Sequence, residues 1–229
     1  MSRKGKNKGK RSIQLIDYTK PTSPVMEQYR LIRNNIHFSS VDKIIQSIVV
    51  TSAEAGDGKS TTAANLAIVL SQKGNKVLLV DVDLRKPTVH YAFSTSNLDG
   101  ITSVLTKDSS LGMAITNTTI PNLDILTSGP IPPNPSELLD SQAMDGIMRD
   151  LKEDYDYVIY DSPPILAVTD SQTIASKCDG VVMVIASGKT QKDRAIKAKD
   201  LLEKAGSKML GVVINRVEEK KNEYYGHYG

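Results

Sequence analysis

The sequence predicts an α/β domain built on a doubly wound, mainly parallel sheet. Two observations carry that reading. Apolar runs of strand length recur along the chain, rich in Val and Ile and almost unbroken in hydrophobicity, as strands covered on both faces should be. Longer amphipathic stretches separate them, and this alternation implies parallel strands joined by right-handed helical crossovers.

The elements follow in order. SPVMEQYRLIRNNIHFS (23–39) spaces its apolar residues at a helical period and predicts an N-terminal helix over about 24–39. QSIVVTS (46–52) reads as the first strand and 59–73 as the helix after it. The remaining strands are KVLLVDVD (76–83), NLDILTSG (122–129), DYVIYDS (156–162), GVVMVIAS (180–187) and LGVVINRV (210–217). Helices are expected at 136–152, 170–177 and 190–205, the first opened by Asn134, Pro135 and Ser136. No internal repeat and no dividing linker interrupts the 229 residues. The expected organisation is a basic flexible arm over 1–20, one domain over 21–217 and a flexible tyrosine-rich tail over 218–229.

Composition bounds the function. Hydrophobic content of 39% and charged content of 24% belong to an ordinary globular chain. The longest strongly apolar run, VVMVIA (181–186), is far shorter than a spanning helix needs, and residues 1–20 lack a secretory stretch, so a cytoplasmic protein is expected. The lone Cys178 agrees with a reducing compartment and reads as a packing residue. Residues 1–11 hold six Lys and Arg and no acid, so setting them aside turns a net charge of +3 into −3. Such an arm suits an anionic membrane surface or nucleic acid, or serves only to solubilise; the three scattered histidines suggest no chemistry.

The chemistry concentrates in IVVTSAEAGDGKSTTAANLAIVL (48–70), which reads as strand, phosphate loop and helix. Glycines let the amides of Ala55, Gly56, Asp57, Gly58, Lys59, Ser60 and Thr61 converge on phosphate oxygens at a helix N-terminus. Lys59 is expected to reach the β- and γ-phosphates and Ser60 to ligate Mg²⁺. Ala53 stands where the GxxxxGK[ST] pattern has its first glycine. Two further strands end in carboxylates, Asp81 and Asp83 in VLLVDVDLRKP (77–87) and Asp161 in YVIYDSPP (157–164). Ligands bind outside the carboxyl ends of such strands, so these acids are expected beside Lys59. Asn215, at the end of LGVVIN, is placed either to read an adenine edge or simply to form a turn. An ATP- and Mg²⁺-binding chain is the expectation.

A phosphate loop, an Asp-x-Asp-x-Arg strand end, a strand ending Asp-Ser-Pro-Pro and the terminal EYYGHYG together resemble a bacterial tyrosine kinase. More narrowly, the chain is similar to the separate cytoplasmic kinases of Gram-positive capsule and exopolysaccharide operons, the CapB type. The resemblance implies a P-loop NTPase fold of the partition-ATPase-like superfamily, with nucleotide motifs at 53–60, 79–85 and 157–161. It implies catalytic roles for Lys59, Asp81, Asp83 and Asp161, a metal held by Ser60, Asp83 and Asp161, and nucleotide contacts from Arg85 and Asn215. Asp81 is the expected proton acceptor, a role exchangeable with Asp83. Phosphorylation is expected in trans on Tyr224, Tyr225 and Tyr228, and the family's Glu-x-x-Arg-x-x-Arg oligomer motif is matched by Glu27, Arg30 and Arg33. The implied partners are a second copy in a homo-oligomeric ring, a membrane polysaccharide co-polymerase activator that holds the protein at the inner membrane face, a phosphotyrosine phosphatase and further protein substrates. Nucleic acid is not expected. Two other readings stay open on the residues: a partition-type ATPase, against which Glu54 at the usual signature-lysine position counts, and a non-catalytic nucleotide sensor.

Overall fold

The computed structural model describes residues 13–20, 22–39 and 44–218. Among them the chain runs α1 (Pro24–Phe38), β1 (Ser47–Ser52), α2 (Lys59–Ser71), β2 (Val77–Asp81), α3 (Val89–Ala92), α4 (Ile101–Leu105), α5 (Leu111–Ala114), β3 (Ile115–Asn117), β4 (Leu123–Leu126), α6 (Pro135–Leu139), α7 (Gln142–Asp154), β5 (Tyr157–Asp161), α8 (Asp170–Lys177), β6 (Gly180–Ala186), α9 (Lys192–Lys204) and β7 (Met209–Asn215). The sheet order is β3-β4-β2-β5-β1-β6-β7, parallel throughout except for β3, which pairs antiparallel with β4 at the edge.

The expected fold class holds. β1, β2 and β5 are apolar because both sheet faces are covered, and their side chains are almost wholly buried. On one face α1 and α2 pack Met26, Ile36, Leu66 and Ile68 against Ile48, Val50 and Leu79. On the other, α7, α8 and α9 bring Met148, Leu151, Ile174 and Leu202 against Val49, Leu78 and Val158. α2 is buried nearly all round, so it is the pillar from which the phosphate loop hangs.

Three expectations change. The single helix over 136–152 is two, because Ser141 leaves helical geometry and caps α7 by accepting from the Met144 amide. β3 and the short α3, α4 and α5 were not legible: each is five residues or fewer, too short for a period to register. Residues 13–20, assigned to a flexible arm, include a docked segment. The Asn65 side chain of α2, itself buried, accepts from the Ile16 amide at 2.9 Å and donates to the Gln14 carbonyl at 3.0 Å, and Ile16 packs into the core. Residues 1–12 and 219–229, including Tyr224, Tyr225 and Tyr228, lie outside the described residues.

Candidate active site

Parallel register brings the strand ends together. Asp81 and Asp161 are paired neighbours on β2 and β5, and Ala186 and Asn215 end β6 and β7 side by side. The loop 53–58 rises from β1 among them. Ala53 keeps β1's course, its amide donating to Val184 at 3.4 Å, and only Gly56 and Gly58 in the loop take positive φ, 78° and 107°. The missing first glycine is therefore no defect, since the backbone there asks nothing that a Cβ forbids.

Four of the loop's carbonyls are each held by a side-chain donor. Glu54 O accepts from Ser52 Oγ at 2.8 Å, Ala55 O from Lys189 Nζ at 2.7 Å, Gly56 O from Arg216 Nη2 at 2.6 Å and Asp57 O from Asn215 Nδ2 at 2.9 Å. A trans peptide points its N–H opposite to its C=O, so fixing these four carbonyls also fixes the directions of the amides of residues 55–58. The amides of residues 55–61 donate to no acceptor among the described residues, and α2 carries no acid in its first turn. An anion is the partner such a nest accepts. The cavity in front of it has a volume of about 660 Å³, ample for a nucleotide-sized ligand. Ala55, Gly56, Gly58, Lys59, Ser60, Thr61, Asp83 and Asn215 line it, together with Ile13, Gln14, Lys86, Thr88, Pro164 and Arg216.

Lys59 is the charge centre. Its ammonium lies 2.9 Å from Asp83 Oδ2, 3.3 Å from Asp161 Oδ1 and 3.2 Å from Ser60 Oγ. Burial works against its charge, yet Asp161 and Asp83 outweigh it and raise its pKa above the usual lysine range. Burial pushes Asp81 up to about 7, with the Asp161 charge adding to it, and burial also raises Asp161. Three buried carboxylates face one lysine, and Asp161 Oδ2 is buried with no hydrogen-bond partner. That orphaned oxygen and excess negative charge suit a hydrated divalent cation.

The site residues divide unevenly. Asp81 is wholly buried and spends both oxygens on backbone, Oδ1 on the Asp83 amide at 3.1 Å and Oδ2 on the Thr88 and Val89 amides at 2.9 and 3.0 Å. It shapes the turn after β2, and of the two exchangeable candidates for proton acceptor Asp83, not Asp81, lines the cavity. Arg85, expected on the nucleotide, instead grips Asp170 at 2.9 and 3.2 Å and Ser136 at 3.0 Å, while its neighbour Lys86 lines the cavity. The Asp57 side chain is buried against Lys189, so Asp57 can serve phosphate only through its backbone. Glu54 pairs with Arg194 of α9. Glu27 pairs with Arg30 one helical turn away, while Arg33 donates to Val69 O at 2.9 Å. Lys189, Arg194 and Arg216 were missed; Lys189 lies three residues past the end of β6 and Arg216 directly follows β7, a signal that the rule of converging strand ends could have used.

A family model described as an AAA domain matches residues 45–204. A tyrosine-protein kinase of Bacillus subtilis (strain 168), YwqD, is 52% identical over 225 residues, 98% of this chain and 95% of that one. The chain belongs to the bacterial tyrosine-kinase family. Solved structures agree: the chimerical protein CapA2B2 superposes with a TM-score of 0.85 at 46% identity, covering 91% of this kinase and 93% of that chain. The kinase domain of Escherichia coli Etk gives 0.85 at 29% identity, over 99% and 89%. A more distant neighbour, the septum site-determining protein MinD of Pyrococcus horikoshii, was solved with Mg-ADP and gives 0.66 at 26% identity, over 77% and 72%. The kinase thus shares a P-loop ATPase fold in which nucleotide and magnesium are generally used. No helix among the described residues is long and apolar enough to cross a membrane.

Proposed function

We propose that this kinase transfers the γ-phosphoryl group of ATP to tyrosines of its own C-terminal cluster, Tyr224, Tyr225 and Tyr228, on a neighbouring copy. The observation that carries the reading is Lys59, held between Asp83 and Asp161 beside the amides of the phosphate loop. The loop and the α2 N-terminus bind the phosphates, and Lys59 moves from its carboxylates to the β- and γ-phosphates. Ser60, Asp83 and Asp161 are the residues that would hold Mg²⁺, directly or through its waters, and the ion supplies charge neutralisation on those phosphates when bound. A tyrosine hydroxyl with a pKa near 10 is a poor nucleophile at neutral pH, so a carboxylate must take its proton as the new P–O bond forms and the bond to the β-phosphate oxygen breaks. Asp83, the acid exposed to the cavity, is assigned that task as well as the metal. Asp81 holds the turn that presents it. Asn215 lines the same cavity, and we assign it the contact with the base.

Around this chemistry we place an oligomer built through Glu27, Arg30 and Arg33, and a membrane activator that brings the domain 21–217 to the inner face of the membrane. A phosphotyrosine phosphatase resets the tail, and polysaccharide synthesis and export are the process controlled. CapA2B2 and the tyrosine-protein kinase wzc of Salmonella typhi, of whose length this chain spans 30%, support an activator.

Incubation with Mg²⁺ and γ-labelled ATP, with and without an activator segment, tests the reading. Wild type should acquire label on tyrosine, and both Lys59→Met and the Tyr224/Tyr225/Tyr228→Phe triple variant should lose it. Release of free phosphate without protein label, unchanged in the triple variant, would make the chain a partition-type ATPase instead.

A further inference from the structure

We propose that Lys189 is a positioning residue for the phosphate loop, fixing the loop's phosphate-accepting shape without touching nucleotide. The inference rests on the reading of residues 55–61 as the phosphate site. Lys189 lies in the tight turn after β6, where Gly188 takes a φ of 68° and the Lys189 and Thr190 amides both return to Ala186 O. From there its ammonium makes two contacts, each 2.7 Å long, with Ala55 O and Asp57 Oδ1. The Asp57 carboxylate is wholly buried and its other oxygen accepts from the Glu54 amide at 2.9 Å. One lysine therefore ties residues 54, 55 and 57 to each other and to the β6–α9 turn.

Two physical tasks follow. A buried carboxylate directly under a phosphate-binding loop would repel the ligand and is costly without a partner; Lys189 cancels that charge. It also pins the Ala55 carbonyl, which fixes the direction of the Gly56 amide of the same peptide plane. With Lys189 gone the Ala55–Gly56 peptide is free to turn, presenting an oxygen to phosphate where a donor is needed. Lys189 is absent from the cavity wall, so the effect passes through the loop.

The test compares the binding of Mg-ADP, by calorimetry, with that of adenosine, by NMR titration, in wild type, Lys189→Met and Lys189→Arg. Lys189→Met should weaken Mg-ADP at least about tenfold, the loss of one charged hydrogen bond, while adenosine binds within about twofold of wild type. Lys189→Arg should recover most of the loss. If unpaired Asp57 prevents folding of Lys189→Met, the Asp57→Asn/Lys189→Met double variant removes the stranded charge and should still bind Mg-ADP more weakly than wild type, because Ala55 O keeps no donor. Unaltered Mg-ADP affinity in the Met variant, or equal loss of Mg-ADP and adenosine, overturns the role. A wild type that takes up no Mg-ADP overturns the phosphate-site reading itself, and the inference with it.

Discussion

Gly58 shows how far a single position is constrained at this site. Its φ of 107° is one that L side chains rarely adopt, and a Cβ there would sit 2.0 Å from Asn215 Nδ2, the group that restrains the Asp57 carbonyl. Gly58→Ala is expected to weaken Mg-ADP binding at least about tenfold while the protein stays folded, a loss that calorimetry would read. Ala53→Gly, which restores the usual first glycine of the motif, should by contrast bring no gain in affinity. It should cost about 0.5–1 kcal/mol of stability, since Ala53 continues a buried strand. The motif pattern made Gly58 and Lys59 legible. It could not say which of Asp81 and Asp83 faces the ligand, because that depends on a turn closed by the Thr88 and Val89 amides, seven and eight residues further on.

At the scale of elements, β1 and β6 are fastened at their start by one acid. Asp179, just ahead of β6, accepts from the Gln46 amide at 3.1 Å, from the Ser47 amide at 2.8 Å and from Ser47 Oγ at 2.9 Å, and pairs with Lys152 of α7 at 2.8 Å. Burial raises its pKa, but Lys152 and the Ser47 and Gln46 donors prevail and hold it below the usual aspartate value. A depressed folded-state pKa gives stability that is present above the unfolded value near 4 and is lost as pH falls through the lower folded one. Asp179→Asn should therefore cost about 1 kcal/mol in urea unfolding at pH 7, and the gap from wild type should close below about pH 4. The strands themselves were readable because burial on both faces leaves a continuous apolar run. β3 was not, since three half-exposed edge residues, Ile115–Asn117, leave no such trace. The break between α6 and α7 was missed because Ser141 is as compatible with a helix interior as with a cap until its side chain is seen to accept from Met144.

For the whole molecule, charge couples the proposed modification to assembly. Three phosphotyrosines add about −5, enough to turn the chain's net charge from +3 to about −2 and to multiply repulsion among copies. Light scattering should show the unmodified protein associating through the Glu27, Arg30 and Arg33 surface and the phosphorylated protein dispersing; an unchanged mass would end that idea. Size, charge and one domain were legible from composition, whereas the path of the N-terminal segment was not, because a single buried amide decides it. The two opposed hydrogen bonds of Asn65 make Gln14, expected in a flexible arm, part of the cavity wall. A deletion or crosslink that takes Ile13 or Gln14 is then also an edit to the pocket, and two preparations of this enzyme that differ at those residues need not share a Michaelis constant.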